Sequence, residues 1–170
     1  MAEKQPINRV EDIFDKRPYA VAHVKGSALA PEIEGTIKFF PSKGGTIVVA
    51  EVEHLPEDMP AILDKQPIGP FGFHIHEGNT CGVGGGEGAY GSAGGHYNPT
   101  NTHHPEHAGD LPVLFGNDGY AWMAVYTNRF RPSDVVNRTV IIHQNPDDFR
   151  TQPAGNSGVR IACGVIEKQV

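Results

Sequence analysis

The six residues FGFHIH (71–76) place the strongest condition on this fold. Their apolar character and flanking breakers read as a strand, and on a strand His74 and His76 point to the same face. Packing has no use for two adjacent imidazoles there, so whatever crosses that face must give them partners. The rest of the chain offers candidates. Seven of its nine histidines fall at 74, 76, 96, 103, 104, 107 and 143. GGHYNPTNTHHPEHAGD (94–110) carries four of them and ends in Asp110, and His143 closes another strand-like run. His23 and His54 read as ordinary strand or strand-end positions. Histidine is the commonest metal ligand. Histidines with one carboxylate suit tetrahedral zinc, and a histidine-only set on strands suits tetragonal Cu(II). The donors suffice for both.

Strand-like runs recur at 19–26, 33–40, 45–54, 71–76, 110–115, 120–127, 138–143 and 159–167, rich in β-branched residues and separated by breakers. A Pro-rich connection occupies 55–70. Periodicity is lost from Glu77 to Gly109 and again from Gln144 to Gly158; unstructured loops of such length are normally functional or disordered. The 21 glycines and 14 prolines suit short strands joined by turns and long loops. The expectation is an all-β, eight-stranded Greek-key barrel or sandwich with two long loops. Residues 1–18 read as an N-terminal arm and 19–170 as one domain.

The formal charge of −6 argues against nucleic acid or an anionic membrane as partner. No stretch approaches eighteen apolar residues, so no membrane span is expected. MAEKQPINRVEDIFDKR has no apolar leader core, which makes the expected compartment cytoplasmic unless a leader was removed. Cys81 and Cys163 are either two separate buried thiols or one pair.

Five ordered segments carry a resemblance: FHIHEG (73–78), GGHYNP (94–99), HAGDLP (107–112), VIIHQNPDD (140–148) and GNSGVRIACGVI (155–166). From about Tyr19 to Ile166 the chain resembles the copper/zinc superoxide dismutases. The resemblance implies a copper ion held by His74, His76 and His143. It implies His96 bridging copper to a zinc ion, and His104, His107 and Asp110 completing the zinc set. Asp147 would link a copper histidine to a zinc histidine, with Asp148 as its competitor. Arg160 would line a channel and hold superoxide, His96 would pass a proton to it, and Cys81 and Cys163 would form a disulfide.

Only Pro105 and Glu106 separate His104 from His107, fewer than in many family members, and His103 competes with His104 as zinc ligand. The resemblance favours His104, whose distance from His96 matches that in many family members. The loop from Gln144 to Val159 lacks the family's frequent charge cluster, and Arg150 is a candidate for part of that steering role. GEGAYG (86–91) fits a nucleotide-loop pattern, but GGHYNP follows it where a helix would be needed, so it is set aside. Two other functions are alternatives: a non-catalytic copper-binding or copper-delivery module on the same fold, and a zinc-only structural domain, which would leave His74, His76 and His143 without work. Phe115, Tyr120, Trp122, Tyr126 and Phe130 form an aromatic cluster, partly core, whose outward part is expected to make a homodimer patch.

Overall fold

The computed structural model describes residue 13 and residues 15–57, 69–82 and 89–170. Among the described residues there are two short 3-10 helices (Gly91–Ala93 and Pro132–Val135) and seven strands: β1 (Ala20–Gly26), β2 (Glu34–Ser42), β3 (Gly45–Glu53), β4 (Phe73–His76), β5 (Ala121–Thr127), β6 (Thr139–His143) and β7 (Arg160–Lys168). All pair antiparallel in one curled sheet of order β4-β6-β7-β1-β2-β3-β5. Neighbours in this order are often distant in sequence, as a Greek-key barrel requires.

Alternation explains why these runs are strands. Ala20, Ala22 and Val24 of β1, Ile37 and Phe39 of β2, and Val48, Ala50 and Val52 of β3 all face one core. Phe73 and Ile75 of β4 join it, with Val140 and Ile142 of β6. β2 turns into β3 through Lys43 and Gly44, where Ser42 pairs with Gly45 and Gly44 takes φ +81.

Segment 110–115, expected as an eighth strand, is bridged rather than laddered. Asp110 pairs with His74 and Leu114 with Phe71, both antiparallel, along the free edge of β4. Pro112 between them has no N–H to donate, which interrupts a continuous ladder. The segment thus lies beside β4 in the expected place, then turns at Asn117–Tyr120 into β5.

Two smaller clusters lie outside the main core. Ile141 and Cys163, paired across β6 and β7, pack with Ala93 against Cys81 and Tyr90. Ile13 is buried against Phe40 and Val49. The expected arm falls mostly outside the described residues, but its residue 13 belongs to the packed body. No described helix is long and apolar enough to cross a membrane.

Candidate metal centre

β4 places the first two imidazoles as its alternation requires. Phe73 and Ile75 enter the core, so His74 and His76 face the other way, and there they are buried by loops. Backbone bonds hold those loops against the edge of β4. Tyr97 N–H donates to Ile75 O at 2.8 Å, Ile75 N–H to Gly109 O at 2.9 Å, and Gly109 N–H to Tyr97 O at 2.8 Å. His76 also bridges His96, and His74 bridges Asp110. The 94–110 segment is therefore docked by its main chain before any side chain is considered.

His143 ends β6, where the register with β7 shifts. Ile142 pairs with Ala162 but His143 pairs with Arg160, so Ile161 is an extra residue. Such a bulge re-aims the side chains beside it. Here it sets Arg160 directly opposite His143. The Arg160 guanidinium is steadied by two carbonyls, Nη1 donating to Tyr90 O and Nη2 to Gly94 O, each at 2.7 Å. His76, His96, His143 and Arg160, with Glu77 and Asn98, line one cavity of about 670 Å³.

Two donor groups result: His74, His76, His96 and His143, and His96, His104, His107 and Asp110. In each, the nearest donor atoms lie within 4.8 Å of one another. All seven residues are buried, and His96 belongs to both groups. His104 lies in the cluster and His103 is exposed outside it. Asp147 bridges the groups: its Oδ2 accepts from His74 Nε2 at 2.7 Å and its Oδ1 from His104 Nε2 at 2.8 Å. Asp148 instead caps a turn, accepting from Arg150 N, Thr151 N and the Thr151 hydroxyl. Arg150 is exposed and does not line the cavity.

On His74, His76, His104 and His143 the outward ring nitrogen is committed, which fixes the nitrogen that faces inward. His76 Nδ1 donates to Gly94 O at 2.9 Å and His143 Nδ1 to Gly158 O at 3.2 Å, and their Nε2 atoms face each other at 3.3 Å. With Nε2 of His74 and His104 given to Asp147, the Nδ1 atoms of both have no hydrogen-bond partner among the described residues. The same holds for His96 Nε2 and His107 Nδ1. His104 Nδ1 and His107 Nδ1 do lie 3.0 and 3.2 Å from Asp110 Oδ2. Four buried ring nitrogens without hydrogen bonds would each cost free energy in an apolar filling. A cation in each group removes that cost, and these donors fit copper on one side and zinc on the other.

The protonation states agree. Burial pushes His74 and His76 well below the ordinary imidazole range, and neighbouring histidines add to it. Burial also takes His143 down to about 3, against the hydrogen bond to Gly158. These rings are neutral near pH 7 and keep a lone pair for a metal. For Asp110, burial acts upward, but the hydrogen bond from His96 and the neighbouring histidines outweigh it, and its carboxyl lies below the usual range.

Three contributors had no signal in the sequence. Gln152 and Arg129 grip the main chain of the 104–110 segment. Gly155, at φ +65, leaves the space in which Asp147 sits. A Cβ there would overlap Asp147 Oδ1 and stand 2.8 Å from His104 Nε2. Gly155→Ala is therefore expected to dislodge the Asp147 bridge and weaken metal retention by roughly 10- to 100-fold. Copper and zinc content after dialysis against a chelator measures it, and unchanged content refutes it.

Cys81 and Cys163 form a disulfide with Cα atoms 5.8 Å apart. The third acidic and histidine group, Glu34, Glu53 and His54, is exposed throughout.

Comparison with known proteins gives one family model, described as copper/zinc superoxide dismutase (SODC), matching residues 33–166. Among curated relatives, a superoxide dismutase (Cu-Zn) of Deinococcus radiodurans is 37% identical over 153 residues, covering 80% of this chain and 78% of the relative. One of Legionella pneumophila is 35% identical over 145 residues, covering 81% and 80%. One of Salmonella typhimurium is 39% identical over 136 residues, covering 72% and 78%.

Proposed function

Because this chain belongs to the copper/zinc superoxide dismutase family, we propose that its two buried donor groups are the copper and zinc sites of a superoxide dismutase. The enzyme turns two superoxide anions and two protons into dioxygen and hydrogen peroxide. His74, His76, His96 and His143 hold copper in this reading, and His96, His104, His107 and Asp110 hold zinc. The carrying observation is the set of committed and uncommitted ring nitrogens. Outward nitrogens are tied to Asp147, Gly94 O and Gly158 O, and four buried ring nitrogens, on His74, His96, His104 and His107, lack hydrogen bonds.

Copper, when bound, supplies a one-electron couple that takes an electron from one superoxide and gives one to the next, whereas zinc is redox-inert. The chain's own groups do the rest. Arg160 draws the anion into the cavity that His76, His96 and His143 line, a local positive charge on a molecule of net charge −6. Tyr90 O and Gly94 O fix its direction. His96 is the imidazole common to both groups, and its Nε2, without a hydrogen bond, is the atom that holds and passes a proton. Asp147 keeps His74 and His104 each in one tautomer and orientation.

The test is copper titration of zinc-loaded protein followed by electron paramagnetic resonance and by superoxide decay per bound copper. A tetragonal Cu(II) spectrum at one copper per chain with rapid decay is expected. Stoichiometric copper without decay would overturn the enzyme reading in favour of a binding module. Arg160→Gln is expected to lower kcat/KM about tenfold and to flatten its dependence on salt, with the Cu(II) spectrum unchanged. An unaltered kcat/KM would remove Arg160 from substrate attraction.

The proposal extends to assembly. Tyr120, Trp122 and Tyr126 are exposed on and beside β5, with Phe115 nearby in sequence, while Phe130 is in the core against Phe39. The Tyr120 and Tyr126 hydroxyls are used within the chain, on Glu51 and Lys43 O, and the exposed rings remain. Aromatic surface of this kind suits a second copy. Sedimentation equilibrium at micromolar concentration should give a dimer, and a monomer would refute it.

A further inference from the structure

The three zinc-side donors that belong to it alone, His104, His107 and Asp110, come from seven residues with neither helix nor strand ladder. The segment's own support is slight. Glu106 N–H donates to His103 O at 2.8 Å, Asp110 N–H to His107 O at 3.2 Å, and His107 N–H to Asp110 Oδ2 at 3.0 Å. A segment with so few internal bonds must be ordered whenever a cation binds, unless the rest of the protein has ordered it already.

The main chain docks the far end of the segment, where Gly109 bonds to Ile75 and Tyr97; two exposed side chains, remote from the segment in sequence, add the order of the part before it. Arg129, just past β5, brings Nη1 among three carbonyl oxygens, those of Pro105 at 2.8 Å, His107 at 3.1 Å and Asp110 at 3.5 Å. The first two are good hydrogen bonds and the third is at the limit. The guanidinium is charged and planar, so these bonds are stronger than neutral ones. Gln152, on the 144–158 loop, pairs with the main chain of His104 in both directions. His104 N–H donates to Gln152 Oε1 at 3.0 Å, and Gln152 Nε2 donates to His104 O at 2.6 Å. An amide side chain thus does for one residue what a neighbouring strand would do. Neither side chain touches a carboxylate oxygen or ring nitrogen of the donor set, so those atoms stay available for a cation.

We propose that Arg129 and Gln152 are positioning residues for the zinc side, holding the main chain of residues 104–110 in the shape that turns His104, His107 and Asp110 inward before metal arrives. The proposal rests on the assignment of those three as zinc ligands. It predicts that zinc affinity depends on two side chains that never meet the metal, and that copper affinity at His74, His76 and His143 does not.

The test uses the full chain stripped of metal, with Co²⁺ as the spectroscopic probe of the zinc side and Zn²⁺ competition for affinity. Arg129→Gln and Gln152→Ala are each expected to weaken Co²⁺ binding roughly tenfold or more and to shift its d–d bands. The double variant should lose more than either single one but less than the product of the two losses, because both side chains hold adjacent main-chain groups of one segment. Arg129→Lys, which keeps the charge without the planar fork, should recover part of the loss. The Cu(II) spectrum and copper affinity should stay as in the parent. Parent-like Co²⁺ and Zn²⁺ binding in both single variants would overturn the proposal, as would an equal loss of copper and zinc, which is general loosening. A parent protein that takes up no Co²⁺ with tetrahedral d–d bands would overturn the zinc assignment and the inference with it. If Arg129→Gln does not fold, Gln152→Ala, a change in an exposed loop side chain, decides by the same readout.

Discussion

Replacing His143 by alanine is expected to abolish superoxide decay and copper binding together while leaving zinc in place. The side chain is buried, its Nδ1 is committed to Gly158 O, and its Nε2 faces His76 Nε2 at 3.3 Å. Alanine removes one of the four donors proposed for copper and leaves His104, His107, Asp110 and His96 untouched. The loss should exceed the roughly 100-fold that follows removal of an outer hydrogen-bond partner. The β6 strand should survive, because His143 holds Gly72 O through its main-chain N–H at 2.8 Å. Superoxide decay, Cu(II) resonance and zinc content measured on one preparation check the prediction. A variant that keeps full decay would place the chemistry elsewhere.

The second large effect belongs to the disulfide. Cys81 and Cys163 are 82 residues apart in sequence, so the bond closes most of the second half of the chain into one loop. Replacing both by serine should cost roughly 4–5 kcal/mol in the chain-entropy account, a large share of a stability of about 5–15 kcal/mol. Guanidinium unfolding of the metal-free protein measures it, and an unchanged midpoint would refute it. Activity should fall as well, by a separate route. The carbonyls that steady Arg160 belong to Tyr90 and Gly94, and Tyr90 packs against the cluster that contains Cys163. Loosening that stretch lets the guanidinium drift from its place opposite His143. The expected signature is a lower kcat/KM at unchanged copper content.

Much of the fold was legible because it is written in local alternation. Phe39, Val48 and Ile142 are in the main core for the same reason that their neighbours in sequence point to the opposite face of the sheet, where Phe40, Val49 and Ile141 are buried in separate clusters. The segment 110–115 shows the limit. Its composition suits a strand, but Pro112 cannot donate to a ladder, and only two bridges form. Ile13 shows another limit: a single apolar residue in an aperiodic stretch gives no sign that it will cover Phe40 and Val49.

By itself the sequence determined which residue types would meet a metal, because HxH on a strand forces two imidazoles onto one face and no apolar core accommodates five more. Through the ordered motifs it also determined the family. Between near neighbours the resemblance only favoured one, and the tertiary structure separates them: His104 lies in the cluster with His103 exposed outside it, and Asp147 makes the bridge while Asp148 caps a turn. The tertiary structure set Arg160 opposite His143 through a one-residue bulge. It brought Arg129 and Gln152 to carbonyls 24 and 48 residues away in sequence. Periodicity reports only what a residue's immediate neighbours impose, and Asp147 meets His74 across 73 residues of chain. Contacts at that separation are fixed by how the strands are ordered in the sheet and by where a ladder slips by one residue.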